Sequence, residues 1–247
     1  MNRDELVHYL SELLAVAEFN DACLNGLQVE GRKEIQKIVC GVSISDRLFK
    51  AAVDKKADMI LVHHGLFWKR DTNPMTITGI RRNRLALLLK NDINLIAYHL
   101  PLDAHGEFGN NIQLLNRLQI PAVESFEVGF IGSPADSLSV SDLCKRIDAS
   151  LETSSVLFDF GPQEVKQLLV ISGSGSLLAE NAKQIGIDTF IGGDIKEDHV
   201  RVFEELQLNY IAAGHYNSEK LGVQALCDHL TDKFGLRTEF VDVPNPV

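Results

Sequence analysis

The chain has 247 residues, which at roughly 150 residues per domain allows one large or two modest domains. Its composition, 45% hydrophobic and 23% charged with 18 glycines and 7 prolines, excludes long disorder and collagen-like repeats. A formal charge of −10 argues against broad adhesion to nucleic acid or anionic membrane, which needs clustered Lys and Arg to release counterions, so a small anionic ligand would need local positive charge. Four scattered cysteines, Cys23, Cys40, Cys144 and Cys227, show no C-x-x-C spacing and are read as reduced thiols. The start, Met1-Asn2-Arg3-Asp4-Glu5, leads into no apolar leader, and no run approaches the ~18 apolar residues that span a bilayer, so a soluble cytoplasmic protein is expected.

Along residues 38–64 a strand-like run, a Ser-containing turn, an amphipathic stretch and a second apolar run follow in βαβ fashion. Leu48, Phe49, Ala52 and Val53 form the helical stripe. Residues 59–62 are uninterruptedly apolar, as in a parallel strand covered on both faces, and end in His63-His64-Gly65. A helix around 84–89 leads to a third apolar run, 93–98, which ends in His99-Leu100-Pro101-Leu102-Asp103. Between 124 and 167, strand-like runs at 128–131 and 155–160 flank a helix expected from Ser139, where Ser139-Val140-Ser141-Asp142 resembles a capping box with Asp in place of Glu.

Residues 168–194 then align without gaps onto 38–64, with Leu178, Ala182 and Ile185 as the helical stripe, although only Leu48/Leu178, Ala52/Ala182 and Asp58/Asp188 are identical. Asn209-Tyr210-Ile211-Ala212 likewise parallels Asn94-Leu95-Ile96-Ala97. The pattern predicts a duplicated α/β unit: two related three-layer α/β lobes with mixed or mostly parallel sheets, residues 1–125 and 126–247, in which the terminal run 238–243 can return to either sheet.

Of the eight histidines, His63, His64, His99, His105 and His215 lie at or just beyond the C-terminal ends of expected strands, the edge where open α/β sheets bind ligands. Consecutive strand residues point to opposite faces, so His63 and His64 reach one site only if the chain bends, which Gly65 permits; otherwise one is buried and the other exposed. Asp103 is either a ligand or the cap of the next helix. Glu219 follows His215 by four residues and falls in the first turn of a helix opening at Asn217 or Ser218. Together His63, His64, Asp103, His215 and Glu219 make an imidazole and carboxylate set suited to Zn, Mn, Fe, Co or Ni. Five ligands are too many for one catalytic zinc, whereas two divalent ions roughly 3.5–4 Å apart use all five and leave open positions.

Lys69, Arg70, Arg81, Arg82, Arg84 and Lys90, six of the 24 basic residues, follow the His pair as either a phosphate-binding rim or a solvated helix face and turn. The run 172–176, Ser-Gly-Ser-Gly-Ser, lacks the P-loop ending and reads as a plain glycine turn, with an anion cradle as the alternative. His8, His199 and His229 read as structural, and Phe67 and Trp68 as packing beside the metal loop. Covalent Ser or Cys catalysis has little support, there being no G-x-S-x-G elbow and no cysteine beside the histidines.

The runs Asn25-Gly26-Leu27-Gln28-Val29-Glu30-Gly31, Val62-His63-His64-Gly65, 99–105, Gly109-Asn110-Asn111 and Gly214-His215 with Glu219 resemble the signature segments of the YbgI-type dinuclear metal-binding family, also called GTP cyclohydrolase 1 type 2-like. The resemblance spans nearly the whole chain and is to the short form without an inserted domain. It implies a duplicated, intertwined two-lobe α/β fold, a ring-shaped homohexamer, and a two-metal site held by His63, His64, Asp103, His215 and Glu219. It also implies hydrolysis of a nucleotide or related small anionic substrate, after the guanine ring opening of GTP. His99 and His105 are then candidates to shuttle protons or to orient the ligands. The alternative is a non-catalytic metal-binding ring that engages a protein or, less favoured by the acidic charge, a nucleic acid.

Overall fold

The computed structural model describes residues 1–71 and 76–247. In chain order its elements are α1 (Arg3–Leu13), β1 (Gly26–Val29), β2 (Lys37–Ser43), α2 (Asp46–Asp54), β3 (Met59–His64), α3 (Gly79–Lys90), β4 (Asn94–Ala97), α4 (Leu100–Asp103) and α5 (Asn110–Leu118). They continue with β5 (Ala122–Phe126), β6 (Gly129–Gly132), α6 (Val140–Leu151), β7 (Val156–Phe158), β8 (Leu168–Ile171), α7 (Ala179–Gln184) and β9 (Thr189–Gly192). The last are α8 (Glu197–Glu205), β10 (Asn209–Ala212), α9 (His215–Ser218), α10 (Lys220–Phe234) and β11 (Arg237–Phe240).

Two compact units result, Met1–Leu102 with Val223–Val243, and Asp103–Gly222 with Pro244–Val247. The boundary expected near residue 125 lies at 102/103 in this division, because α5 packs its Leu114, Leu115 and Leu118 into a core of the second unit. The first sheet has the order β1-β4-β3-β2-β11, with β1 antiparallel and the rest parallel. β11 thus pairs with β2 in the first unit. The second sheet has the order β5-β6-β8-β9-β10-β7, parallel at β8-β9-β10 and antiparallel elsewhere.

Period-two alternation divides each sheet's side chains between two cores, as a three-layer arrangement requires. In the first unit Ile38, Cys40, Met59, Leu61 and Ile96 meet Leu6 and Leu10 of α1 and Leu226 and Leu230 of α10. Val39, Ile60, Val62 and Leu95 meet Leu48, Phe49 and Ala52 of α2 and Leu88 of α3. In the second unit Leu168, Val170 and Ile191 meet α5 and α6, while Leu169, Ile171, Phe190 and Tyr210 meet α7 and α8. Each such fully buried Leu, Ile or Phe contributes about 1.5–3 kcal/mol.

The two units repeat one register. Ile38 pairs with Met59 and Met59 with Asn94; in the second unit Leu168 pairs with Thr189, and Thr189 with Asn209. The shared aspartates do the same work in each: Asp58 Oδ2 accepts the N–H groups of Gln36 and Lys37, and Asp188 Oδ2 those of Lys166 and Gln167. Buried Asn94 accepts from Gly31 N and donates to Arg32 O; buried Asn209 accepts from Gly161 N and donates to Pro162 O.

Three local expectations differ. Ile185 is 45% exposed, because residues 175–178 form a 3-10 turn before α7, and its tighter winding shifts the phase of the stripe. Ser139 does cap α6, yet Asp142 bonds the Ser139 hydroxyl instead of its backbone N–H, its side chain being one methylene shorter than glutamate. Nor are all four thiols reduced: Cys40 on β2 and Cys227 on α10 form a disulfide across 187 residues, while Cys23 and Cys144 are free. Sequence spacing hides this pair because only the packing of α10 on the sheet brings them together. Among the described residues no helix is long and apolar enough to cross a membrane.

Replacing Asn209 with Ala strands the Gly161 N–H and the Pro162 carbonyl. Denaturant unfolding is expected to show a loss of about 1–3 kcal/mol, and a loss below 0.5 kcal/mol would contradict the bridging role.

Candidate metal centre

β3 delivers His63 and His64 to the C-terminal edge of the first sheet, and the chain leaving β4 delivers His99. One ring nitrogen from each of the three lies within 4.8 Å of the others, and the His63 ring centroid is 4.6 Å from that of His64 and 5.0 Å from that of His99. The pair therefore does serve one place. Gly65 helps by its lack of a side chain rather than by unusual backbone angles, since a Cβ there would strike the Gln28 amide and lie 2.7 Å from Ala97 Cβ. Gln28 in turn accepts from Leu66 N and Phe67 N and donates to Leu24 O, fixing the loop that follows the pair.

All three rings are held at Nδ1. His63 donates to the Tyr98 carbonyl at 3.0 Å, which puts its proton on Nδ1 and the lone pair of its neutral form on Nε2. His64 Nδ1 pairs with Ser43 Oγ at 2.9 Å and His99 Nδ1 with Asp21 Oδ1 at 2.8 Å. Asp21 is 2% exposed. Burial opposes its charge, but hydrogen bonds from His99, Asn25 and the Cys23 N–H outweigh that cost and hold it well below the usual carboxylate range.

In the second unit His215 opens α9 directly after Gly214, whose φ is +87°. Its Nδ1 pairs with Asp194 Oδ2 at 2.8 Å and its Nε2 lies 3.2 Å from Glu219 Oε1. The hydrogen bond to Glu219, against burial and with the help of Asp194, pushes His215 up to about 9. Glu219 is buried and directly precedes α10, instead of lying in the first turn of a helix from 217 or 218, because α9 closes one turn and ends at Ser218. Asp103 Oδ1 accepts from Asn110 Nδ2 at 2.8 Å and Ser172 Oγ at 3.0 Å. It does not cap α5, whose N-cap is Gly109.

The 172–176 run proves to be a supporting turn. Ser172 N donates to Asn111 Oδ1 and Gly173 N to Ser218 Oγ, so two of its N–H groups are spent internally. Gly173, at φ +61°, leaves the room in which Glu219 and His215 meet, and a Cβ there would clash with Glu219 Oε1 and stand 3.3 Å from His215 Nε2. His105 differs from the other histidines: its Nδ1 accepts from Glu107 N and Phe108 N, and its ring stacks on Phe108 at 5.0 Å. In the basic stretch Lys69 bonds Asn20, Arg70 lies over Trp68, Arg81 pairs with Asp71 and Arg82 is exposed beside Asn83; residues 72–75 within it lie outside the described residues.

Imidazoles fixed at Nδ1, next to ordered carboxylates, are the donor chemistry of a borderline divalent cation, and the residues fit such an ion. Residues 1–246 match the family described as Duf34/NIF3 (NGG1p interacting factor 3). The chain belongs to the Duf34/NIF3 family. A Yersinia pestis relative named GTP cyclohydrolase 1 type 2 homolog is 40% identical over 251 residues, all of each chain. A Pyrococcus horikoshii relative of the same name is 41% identical over 252 residues, with 99% of each covered. Among solved structures, protein ybgI, described as of unknown function, matches this Duf34/NIF3 chain with TM-score 0.96 and 38% identity over all of both chains. Reduced HcgD from Methanocaldococcus jannaschii, at 22% identity, TM-score 0.87 and 98% of each chain, shares the fold.

The supports Asp21, Ser43 and Asp194 were not singled out from sequence, though one signal was available: Asp194 occupies the repeat position of His64, 130 residues on. Asp21→Asn, which keeps the shape of the side chain and removes its charge, is expected to weaken divalent-metal affinity about 10–100-fold in chelator competition. Unchanged affinity in a folded variant would remove Asp21 from the site.

Proposed function

We propose that His63, His64, Asp103, His215 and Glu219 hold two divalent ions (Zn, Fe, Mn, Co or Ni) and that this Duf34/NIF3 protein is a metal-dependent hydrolase of a nucleotide or related small anionic substrate, of the GTP cyclohydrolase kind. The observation that carries the reading is the common Nδ1 anchoring of His63, His64, His99 and His215. The names of the bacterial and archaeal relatives support the substrate class. When bound, such ions supply a water acidic enough to ionise near neutral pH and polarise the attacked group.

The remaining roles belong to the chain itself. His99, its Nδ1 tied to Asp21, offers Nε2 as a proton acceptor beside His63 and His64. His105, whose Nδ1 lone pair is used by two backbone N–H groups, carries its neutral-form proton on Nε2 and serves as the donor. Asp21, Ser43 and Asp194 position the imidazoles. The same reading takes the protein to be a cytoplasmic homohexamer.

The test is turnover of GTP and other nucleotides by protein loaded in turn with each metal, against His63→Ala. Hydrolysis by the wild type and a loss of at least about 100-fold in the variant are expected. Metal binding without turnover of any nucleotide would overturn the hydrolase and leave the non-catalytic ring-shaped assembly.

A further inference from the structure

Beside the imidazoles of the first unit lies a cavity of about 460 Å³, within the roughly 300–1,000 Å³ usual for small-molecule sites, lined among others by Ile44, Leu66, Trp68, Ile80, Arg81 and Arg84. Its wall and the histidine cluster share the Trp68 indole, whose centroid is 5.1 Å from that of His99 and 6.1 Å from that of His64. A hydrogen bond from Trp68 Nε1 to the Gly65 carbonyl fixes the orientation of the ring.

The two guanidiniums differ. Arg81 is neutralised by Asp71 at 2.6 Å. Arg84 is partly buried, has no ion pair among the described residues, and its Nε is shielded from water without an acceptor. A guanidinium stays charged at any accessible pH, so Arg84, without an ion pair, leaves uncompensated positive charge on the cavity wall. Its planar fork matches a phosphate, and the indole with Ile44, Leu66 and Ile80 offers a flat apolar face for a ring.

We propose that this cavity is the subsite for a phosphate-bearing planar substrate, with the phosphate on Arg84 and the ring against Trp68. The assignment rests on the reading of the adjoining histidines as the reaction centre, and it names the positive focus that an acidic chain needs to hold a nucleotide.

Trp68 is the only tryptophan, so its fluorescence reports occupancy without a label. The full-length protein is titrated with GMP and with guanosine. Saturable quenching by GMP at a concentration about tenfold lower than by guanosine is expected, the size of one charge-assisted hydrogen-bond pair. Arg84→Gln should erase that preference, Arg84→Lys restore part of it, and Arg82→Gln, an exposed neighbour on α3, leave it intact. His63→Ala should keep the preference, which separates failure of the subsite from failure of the metal reading. Equal binding of GMP and guanosine, an unchanged preference in Arg84→Gln, or its loss in His63→Ala would each overturn the proposal.

Discussion

An imidazole can bind a cation only through a nitrogen that carries no proton, so the partner at Nδ1 decides what each histidine can do. In the first unit that partner is the Tyr98 carbonyl for His63, Ser43 for His64 and Asp21 for His99; in the second it is Asp194 for His215. Much of the surrounding structure serves these four contacts. Asp21 stays ionised in a buried place only because Asn25 and the Cys23 and Leu100 N–H groups join His99 on its oxygens. Asn25 also accepts from His99 N, so one short segment sets both the backbone and the ring of that residue. The chemistry of the proposed centre is therefore spread over loops whose own shapes are fixed by Gln28, Asn110 and Asn111.

Duplication of the α/β unit explains why these loops are where they are. Both sheets keep the Asp and Asn bridges and the same pairing register, so their C-terminal edges offer corresponding positions. What occupies them has diverged. At the positions of His63 and His64 the second unit has Gly193 and Asp194, where the glycine makes room for the His215 backbone and the aspartate orients its ring. The scaffold of both sheets is shared while the residues at its edge differ.

This division also explains what could be read from the chain alone. Apolar runs such as 59–62 and 168–171 announce buried parallel strands because both faces are covered, and the strand ends then point to the histidines. Asp58 and Asp188, one of the few identities between the repeats, mark a bridge that the fold needs. Contacts between distant positions were not legible: Asp21 meets His99 78 residues away, and Cys40 meets Cys227 187 residues away. The position of Glu219 depended on a one-turn helix too short to leave a periodic signal, and Ile185 on a 3-10 turn that periodicity of 3.6 does not describe. Arg84 was indistinguishable from its exposed neighbours until the packing of α3 set it in a cavity.

The central claim is the proposal that His63, His64, Asp103, His215 and Glu219 hold two ions per chain. Elemental analysis after equilibrium dialysis against a divalent metal tests it most directly, with His63→Ala and Glu219→Gln dialysed in parallel. The account predicts two ions per wild-type chain and fewer in both variants. A wild type that binds none, or a stoichiometry that neither substitution lowers, would contradict it.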